Sequence, residues 1–246
     1  LSVMISKANI KFIKSLQIKK YRKQEQCFVV EGSKSVLELL ASDFEPTMIV
    51  GTKEFISQLP KGYAAQAIEA GVKELGDMGE FQTNDSALAV ARMKANARID
   101  LDVNEFALVL DDIRDPGNLG TIIRTADWYG INKIIASEET VDFYSNKVIT
   151  STMGSFTRVK IFYTNLEEYL EGTKHRVMGA FLNGEDVHQF NFKGGGYLVI
   201  GNESKGISAP VEKLVTNRIT IPRYGKAESL NAAIANAIIC DNMRRG

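Results

Sequence analysis

An apolar run that ends in two aspartates, FALVLDD (106–112), is the feature that most limits how this chain can fold. A strand that is apolar on both faces must be covered on both faces, which is typical of parallel sheets in α/β proteins. The next segment, 117–130, carries apolar residues at helical spacing, and the β-like run KIIAS (133–137) follows it. This order predicts an α/β fold with a largely parallel sheet and helices on both faces.

The same alternation continues toward the C-terminus. Apolar runs predict further strands at 158–163, 176–181, 196–201 and 218–222. Helical spacing predicts helices at 144–152, 165–171, 209–215 and 229–244.

The first hundred residues carry a second, weaker α/β pattern. Residues 27–50 read as strand, helix and strand, and another apolar run lies at 87–91. The polar segment 94–105 lacks a period, which is typical of a linker. We therefore predict a small N-terminal α/β domain over 1–98, a linker over 99–104 and a second domain over 105–246.

Three polar stretches each follow an apolar run, where a buried strand should end. They are DPGNLGTIIRTAD (115–127), GNESKGIS (201–208) and the sequence around Ser229-Leu230-Asn231. Ligand sites of open α/β sheets lie outside the carboxyl ends of the strands, so three such loops predict a site.

The first loop taken alone has a simpler structural interpretation. Arg124 would lie on a mostly apolar helix and could pair with a nearby carboxylate, namely Asp111, Asp112 or Asp115. Asn118 and Arg124 are six residues apart and so lie on different faces of a regular helix. They converge only if Asn118 precedes the first helical turn.

The other two loops also have structural alternatives. Glu203 between glycines could be a surface carboxylate of a turn. Ser229 is a natural N-cap for the last helix, with Asn231 in the first turn. Only the three loops together favour a ligand site.

Several common enzyme motifs are missing. GNESKG (201–206) has the spacing of a phosphate loop, but Ile207-Ser208 follows it in place of Lys-Ser/Thr. No GxGxxG follows a predicted strand, and there is no GxSxG elbow. ATP or GTP hydrolysis, dinucleotide binding and serine hydrolysis are therefore not expected.

Cysteine and histidine usage predicts the cellular setting. Cys27 and Cys240 are far apart, while His175 and His188 lack partners at metal spacing, so neither a disulfide framework nor a metal site is expected. No apolar run approaches the roughly 18 residues that span a bilayer, and the N-terminus lacks the apolar core of a secretory signal. These features predict a cytoplasmic protein with no membrane partner.

The chain has a formal net charge of zero, but its N-terminus is basic. Seven basic residues precede Glu25, the first acid: Lys7, Lys11, Lys14, Lys19, Lys20, Arg22 and Lys23. A positive segment on a neutral protein is a candidate phosphate contact. The alternative is a solvated amphipathic helix with a basic polar face.

Taken together, the three loops resemble the motifs of the SpoU (TrmH-like) branch of the SPOUT superfamily, which are S-adenosylmethionine-dependent RNA 2′-O-ribose methyltransferases. The family's Asn-x-Gly-x-x-x-Arg-Thr-Ala is similar to 118–126, and its Gly-x-Glu-x-x-Gly to 201–206. Its Ile-Pro…Ser-Leu-Asn is similar to Ile221-Pro222 and 229–231. Residues 20–40 also resemble the start of the small substrate-binding domain that many members carry.

The resemblance implies properties that periodicity could not indicate. It implies a C-terminal trefoil knot, a homodimer with a site partly built from both subunits, and S-adenosylmethionine as cofactor. The cofactor pocket is expected to include Gly201, Ile221 and Leu230. The catalytic side is expected to comprise Arg124, Asn118, Glu203, Ser229 and Asn231, and RNA contacts are expected from Lys19, Lys20, Arg22 and Lys23.

The implied reaction is methyl transfer to a ribose 2′-hydroxyl in structured RNA. We favour ribosomal RNA over transfer RNA and expect no DNA partner. Alternatives are an RNA-binding protein that keeps the fold without catalysis, and a methyltransferase acting on a base or a small molecule.

Overall fold

The computed structural model describes residues 5–81 and 83–245, and the chain forms two compact units. The first comprises Leu1–Ala95 with Asp142–Thr157, and the second comprises Asn96–Val141 with Arg158–Gly246. The units are therefore interleaved in sequence, whereas the predicted domains are consecutive. The domain limits 98 and 105 stay a prediction, and the outer limits, residues 1 and 246, lie outside the described residues.

The first unit contains a four-stranded sheet. Its strands are β1 (Cys27–Glu31), β2 (Pro46–Gly51), β3 (Ile68–Glu69) and β4 (Ala87–Arg92), in the order β1-β4-β2-β3. The β1–β4 and β2–β4 ladders are antiparallel, and β2–β3 is parallel. Its helices are α1 (Lys7–Ser15), α2 (Lys19–Glu25), α3 (Ser33–Leu40), α4 (Lys53–Ser57), α5 (Lys61–Ala64), α6 (Val72–Met78) and α8 (Asn146–Ser151).

Segment 142–157 supplies part of this unit's core. α8 packs against β1, and the ring of Phe156, in a 3-10 turn (Ser155–Thr157), lies 6.0 Å from that of Phe28. The Tyr144 ring centroid lies 4.7 Å from the same phenylalanine. Every β1 residue is buried, which agrees with the apolar run CFVV (27–30) that forms its first four positions.

The second unit contains a six-stranded sheet in the order β10-β8-β9-β5-β6-β7. Its strands are β5 (Phe106–Asp111), β6 (Lys133–Ser137), β7 (Lys160–Thr164), β8 (Val177–Asp186), β9 (Gly196–Gly201) and β10 (Asn217–Thr220). Its helices are α7 (Pro116–Trp128), α9 (Leu166–Leu170), α10 (Ala209–Glu212) and α11 (Ala232–Arg245). All five ladders are parallel, so the predicted parallel sheet is confirmed.

Both faces of β5 are buried, as its sequence indicated. Ala107 and Val109 pack in a cluster that includes residues of α9 and α10. Leu108 and Leu110 point to the opposite face, where they are 0% exposed. α11 contacts both α7 and β9.

Across 5–81 and 83–245, no helix combines the length and apolarity needed to cross a membrane.

Candidate active site

The first polar loop enters α7 through a capped turn. Asp115 Oδ1 accepts a hydrogen bond from the Asn118 backbone N–H at 2.7 Å, and Pro116 occupies the first helical position. Asn118 therefore lies inside the first turn and not before it. Six residues at about 100° each leave Asn118 and Arg124 roughly 120° apart around the helix.

Arg124 is exposed, and in the described part of the chain it has no hydrogen bond or ion pair. The three carboxylates that could have paired with it have other partners. Asp111 accepts a hydrogen bond from the Ser208 N–H, Asp112 pairs with Arg114, and Asp115 accepts from the Asn118 N–H. The structural salt bridge considered from the sequence is therefore not formed. A free, exposed guanidinium is available to an anionic ligand.

The second loop is a tight turn that follows β9. Asn202 and Gly206 exchange backbone hydrogen bonds of 3.0 and 2.9 Å across it. A Cβ on Gly201 would lie 2.3 Å from the Gly206 carbonyl carbon and from the Ile207 nitrogen, so only glycine fits. Asn202 Nδ2 also donates to the Asp112 carbonyl oxygen at 2.7 Å, which ties this loop to the end of β5.

The third loop ends at Asn231, which caps α11. Asn231 Oδ1 accepts from the backbone N–H groups of Ala233 at 2.9 Å and Ile234 at 3.3 Å. The prediction that Ser229 is the N-cap, with Asn231 in the first turn, is therefore wrong. Asn231 satisfies the free N–H groups at the start of the helix, and Ser229 lies in the irregular segment before it.

The side chains of the three loops meet in one line of hydrogen bonds. Asn231 Nδ2 donates to Asn118 Oδ1 at 2.9 Å, and Asn118 Nδ2 donates to Glu203 Oε1 at 2.7 Å. The side-chain amide of Asn118 accepts through its oxygen and donates through its nitrogen, so the two hydrogen bonds fix its orientation. Three residues that are remote in sequence thus occupy one site.

A cavity of about 770 Å³ lies beside these loops, within the roughly 300–1,000 Å³ typical of small-molecule sites. Its lining includes Gly201, Ile221 and Leu230, the three residues expected to hold a cofactor. Glu203 and Ser229 also line it, whereas Arg124 does not. Backbone groups at Gly201 and apolar side chains at Ile221 and Leu230 suit a ligand with polar and apolar parts.

The domain that contains this site is similar to a known protein family. Residues 105–241 match the SpoU rRNA Methylase family. The chain belongs to this family. Residues 7–83, which lie within the first compact unit, match the MRM3-like substrate binding domain.

Similar SpoU proteins include the 23S rRNA (guanosine(2553)-2′-O)-methyltransferase RlmP of Bacillus subtilis. It is 30% identical over 241 residues, which cover 96% of this chain and 95% of RlmP. The AdoMet-bound rRNA methyltransferase from Sinorhizobium meliloti has a TM-score of 0.89 and 28% identity, covering 99% of this chain and 96% of that one. The SpoU methyltransferase AviRb from Streptomyces viridochromogenes, in complex with AdoMet, has a TM-score of 0.85 and 25% identity, covering 98% of each chain.

In this SpoU chain the residues expected to contact RNA do not share one environment. Lys19, Lys20 and Lys23 are exposed on α2. Arg22 is 3% exposed and donates to the Leu16 carbonyl, the Gln17 carbonyl and the Asp142 carboxylate. The expectation that Arg22 contacts RNA is therefore corrected, because its guanidinium is occupied inside the first unit.

Sequence reasoning missed the residues that hold the loops of this SpoU site. Asn202 lies within the quoted GNESKG motif, and its amide also accepts from the Ser204 and Lys205 N–H groups. Ser137 Oγ accepts from the Asp112 N–H at 2.9 Å and so supports the turn after β5. A polar residue directly after a buried strand was the available signal for Asn202, whereas Ser137 gave none.

Proposed function

We propose that this chain transfers a methyl group from S-adenosylmethionine to a ribose 2′-hydroxyl in ribosomal RNA. The observation that carries the proposal is the line of hydrogen bonds from Asn231 through Asn118 to Glu203, beside the 770 Å³ cavity. Membership of the SpoU family supports the reaction type. RlmP, which matches nearly the full chain, supports ribosomal over transfer RNA.

The cavity residues fit S-adenosylmethionine. Gly201 leaves the backbone at the end of β9 open to close approach, while Ile221 and Leu230 offer apolar contact to the adenosine and methionine parts. When bound, the cofactor supplies a methyl group carried on a positively charged sulfur. Gly201, Ile221 and Leu230 bind and orient it, and no metal is needed for the transfer.

Arg124 acts on the RNA side. The Arg124 guanidinium carries a positive charge and offers hydrogen-bond donors but no acceptor, so Arg124 is not a literal base. Bound to the adjacent phosphate, it orients the ribose and stabilises negative charge that develops on the 2′-oxygen as its proton passes to water. Asn231 and Ser229 hydrogen-bond the ribose or order the loop, and Glu203 holds Asn118 in position.

We also propose that the protein is a homodimer whose site uses both subunits. Asn118 and Arg124 diverge around α7, and Arg124 is not part of the cavity lining of its own chain, which supports a division between subunits. Trp128 on α7 and Ile234 on α11 are 83% and 53% exposed, as expected for apolar side chains that a second copy covers. Sedimentation at twice 27.2 kDa tests this.

We further infer that the segment after β10 is threaded into a trefoil knot. Support comes from the sheet order, because β10 lies at an edge while the following α11 contacts β9 and α7.

The cytoplasm stays the predicted location.

The reaction is tested by mapping ribose methylation in total RNA from cells with and without this protein. We expect one ribose in large-subunit ribosomal RNA to lose its methyl group when the protein is absent, and to regain it with purified protein and S-adenosylmethionine. Calorimetry separates the non-catalytic alternative, because a pure RNA-binding protein takes up no S-adenosylmethionine. A methyl group found on a base would contradict the ribose assignment.

The three exposed lysines of α2 provide a separate prediction. Replacing Lys19, Lys20 and Lys23 together with glutamine should weaken RNA binding and reduce the slope of log affinity against log salt by about 2. Titrations at several salt concentrations measure the slope. Substitution is preferable to deletion of the basic segment, because α1 and its C-cap bury Ile13 and Leu16 in the core.

A matched control removes three exposed lysines elsewhere in the first unit. Replacing Lys53, Lys61 and Lys73 with glutamine changes the net charge equally. We expect this variant to keep the wild-type salt slope. Equal slopes in the two triple variants would mean that α2 makes no specific phosphate contacts.

A further inference from the structure

The corner between α1 and α2 is held by a buried ion pair whose acid comes from much later in the chain. Arg22 and Asp142 belong to the same compact unit although 120 residues separate them. Arg22 Nη2 donates to Asp142 Oδ2 at 2.7 Å, and Nε donates to the same oxygen at 3.3 Å. The two side chains are 4% and 15% exposed, so the pair is largely shielded from solvent.

Arg22 also binds the end of α1. Its Nη1 donates to the Leu16 carbonyl at 2.9 Å and the Gln17 carbonyl at 2.8 Å. Carbonyl groups at a helix C-terminus lack intrahelical partners, so these bonds satisfy acceptors that would otherwise need water. One guanidinium thus joins the end of α1, α2 and the segment that begins at Asp142.

This corner carries the basic surface of the first unit. Lys7, Lys11 and Lys14 are spaced by four and three residues and share an exposed face of α1. The exposed lysines of α2 lie within about 100° of one another around that helix. The orientation of α2 therefore decides whether its charges extend the α1 surface or point elsewhere.

We propose that Asp142 is a positioning residue for RNA binding. Asp142 neutralises Arg22 inside the unit and fixes α2 with its lysines toward the solvent, without touching RNA itself. The proposal rests on the proposed function, in which α2 contacts RNA phosphates. It assigns a substrate-binding role to a residue within the stretch that matches the methylase family.

The physical reason lies in the cost of an unpaired buried charge. Removing only one member of a buried ion pair leaves a charge that must regain water, and α2 can supply that water only by moving. Replacing both members with apolar side chains of similar size often preserves packing. The single and double replacements therefore distinguish two effects on RNA binding, that of the position of α2 and that of the charge of Arg22.

The first experiment uses the full-length variant Asp142→Asn and protein-free large-subunit ribosomal RNA from cells lacking the protein. We expect RNA affinity to fall about tenfold and the salt slope to decrease, because the α2 lysines no longer align. S-adenosylmethionine affinity should stay within about twofold of wild type. Amide exchange in residues 16–25 should become faster, which a purely global loss of stability would not confine to α2.

Glu80→Gln is the matched control. It also removes one carboxylate from the first unit, but Glu80 is exposed and its pair with Lys147 is long at 3.9 Å. We expect wild-type RNA affinity and exchange rates. Wild-type RNA affinity and salt slope in Asp142→Asn as well would overturn the proposal.

The double variant Arg22→Met with Asp142→Leu decides the question even if Asp142→Asn does not fold. We expect it to bind RNA within about threefold of wild type, because the apolar pair leaves no buried charge and the remaining loss is the two hydrogen bonds from Arg22 to the Leu16 and Gln17 carbonyls. Weak RNA binding together with slow exchange in α2 would mean that Arg22 itself binds RNA, which overturns the proposal. These measurements do not depend on catalysis, whereas the proposed function fails only if wild-type protein leaves RNA ribose unmethylated.

Discussion

Replacing Arg124 with alanine is expected to lower the rate of methyl transfer about a thousandfold while S-adenosylmethionine binding stays intact. Arg124 is exposed, has no partner in the described chain and does not line the cavity. Neither folding nor the cofactor therefore depends on it. Single-turnover rates with RNA measure the first effect, and calorimetry measures the second.

Two further variants define what Arg124 contributes. Arg124→Lys keeps the charge but loses the planar fork that binds a phosphate through two parallel hydrogen bonds, so we expect partial activity. Arg245→Ala removes another exposed arginine, which pairs within α11 with Asp241, and should have nearly the wild-type rate. A normal rate in Arg124→Ala would show that the assignment is wrong.

Replacing Gly201 with alanine is expected to weaken S-adenosylmethionine binding by about a hundredfold. The added Cβ would lie 2.3 Å from two backbone atoms of residues 206 and 207, so the turn must open. This turn carries Glu203, which holds Asn118 at 2.7 Å. Calorimetry with the cofactor alone measures the loss without requiring RNA.

Gly225 provides the control for this change. It lines the same cavity, but a Cβ there meets no atom within 4 Å and its backbone does not have a positive φ. Gly225→Ala should bind the cofactor almost as wild type does. Equal losses in both variants would mean that any added methyl group in this cavity blocks the ligand.

Arg124→Ala and Gly201→Ala, mixed in one dimer, test whether each active site uses both subunits. A dimer of one Arg124→Ala subunit and one Gly201→Ala subunit keeps one intact pairing of arginine and cavity if each site uses both subunits. Random mixing should then restore about a quarter of wild-type activity, since about half of the dimers are mixed and each has one working site. A site contained within one chain predicts no recovery.

Local patterns predicted most of the fold because the strands are apolar on both faces. Within the predicted strand-helix-strand pattern of 27–50, CFVVE (27–31) is β1, and KIIAS (133–137) is β6 residue for residue. The predicted strand FALVLDD (106–112) is one residue longer than β5. The polar residues after such strands also predicted which loops meet at the candidate site. Asn118 and Glu203 were expected near each other and share a hydrogen bond.

The remaining differences depend on contacts between distant residues. Serine and asparagine are similarly good N-caps, so residue type could not choose between Ser229 and Asn231. Asn231 caps α11 while its amide bonds Asn118, a tertiary contact that no local pattern contains. Arg22 was predicted to contact RNA because it lies in a basic segment, and its partner, Asp142, lies 120 residues away.

The interleaved units have a consequence for protein engineering. The polypeptide passes between them at three places, after Ala95, Val141 and Thr157. A chimera joined only near residue 100 would combine a foreign N-terminal segment with the native 142–157 insert, whose Phe156 and Asp142 contact Phe28 and Arg22 of the native segment. A swap of the first unit between relatives should therefore transplant both pieces, residues 1–95 and 142–157, together.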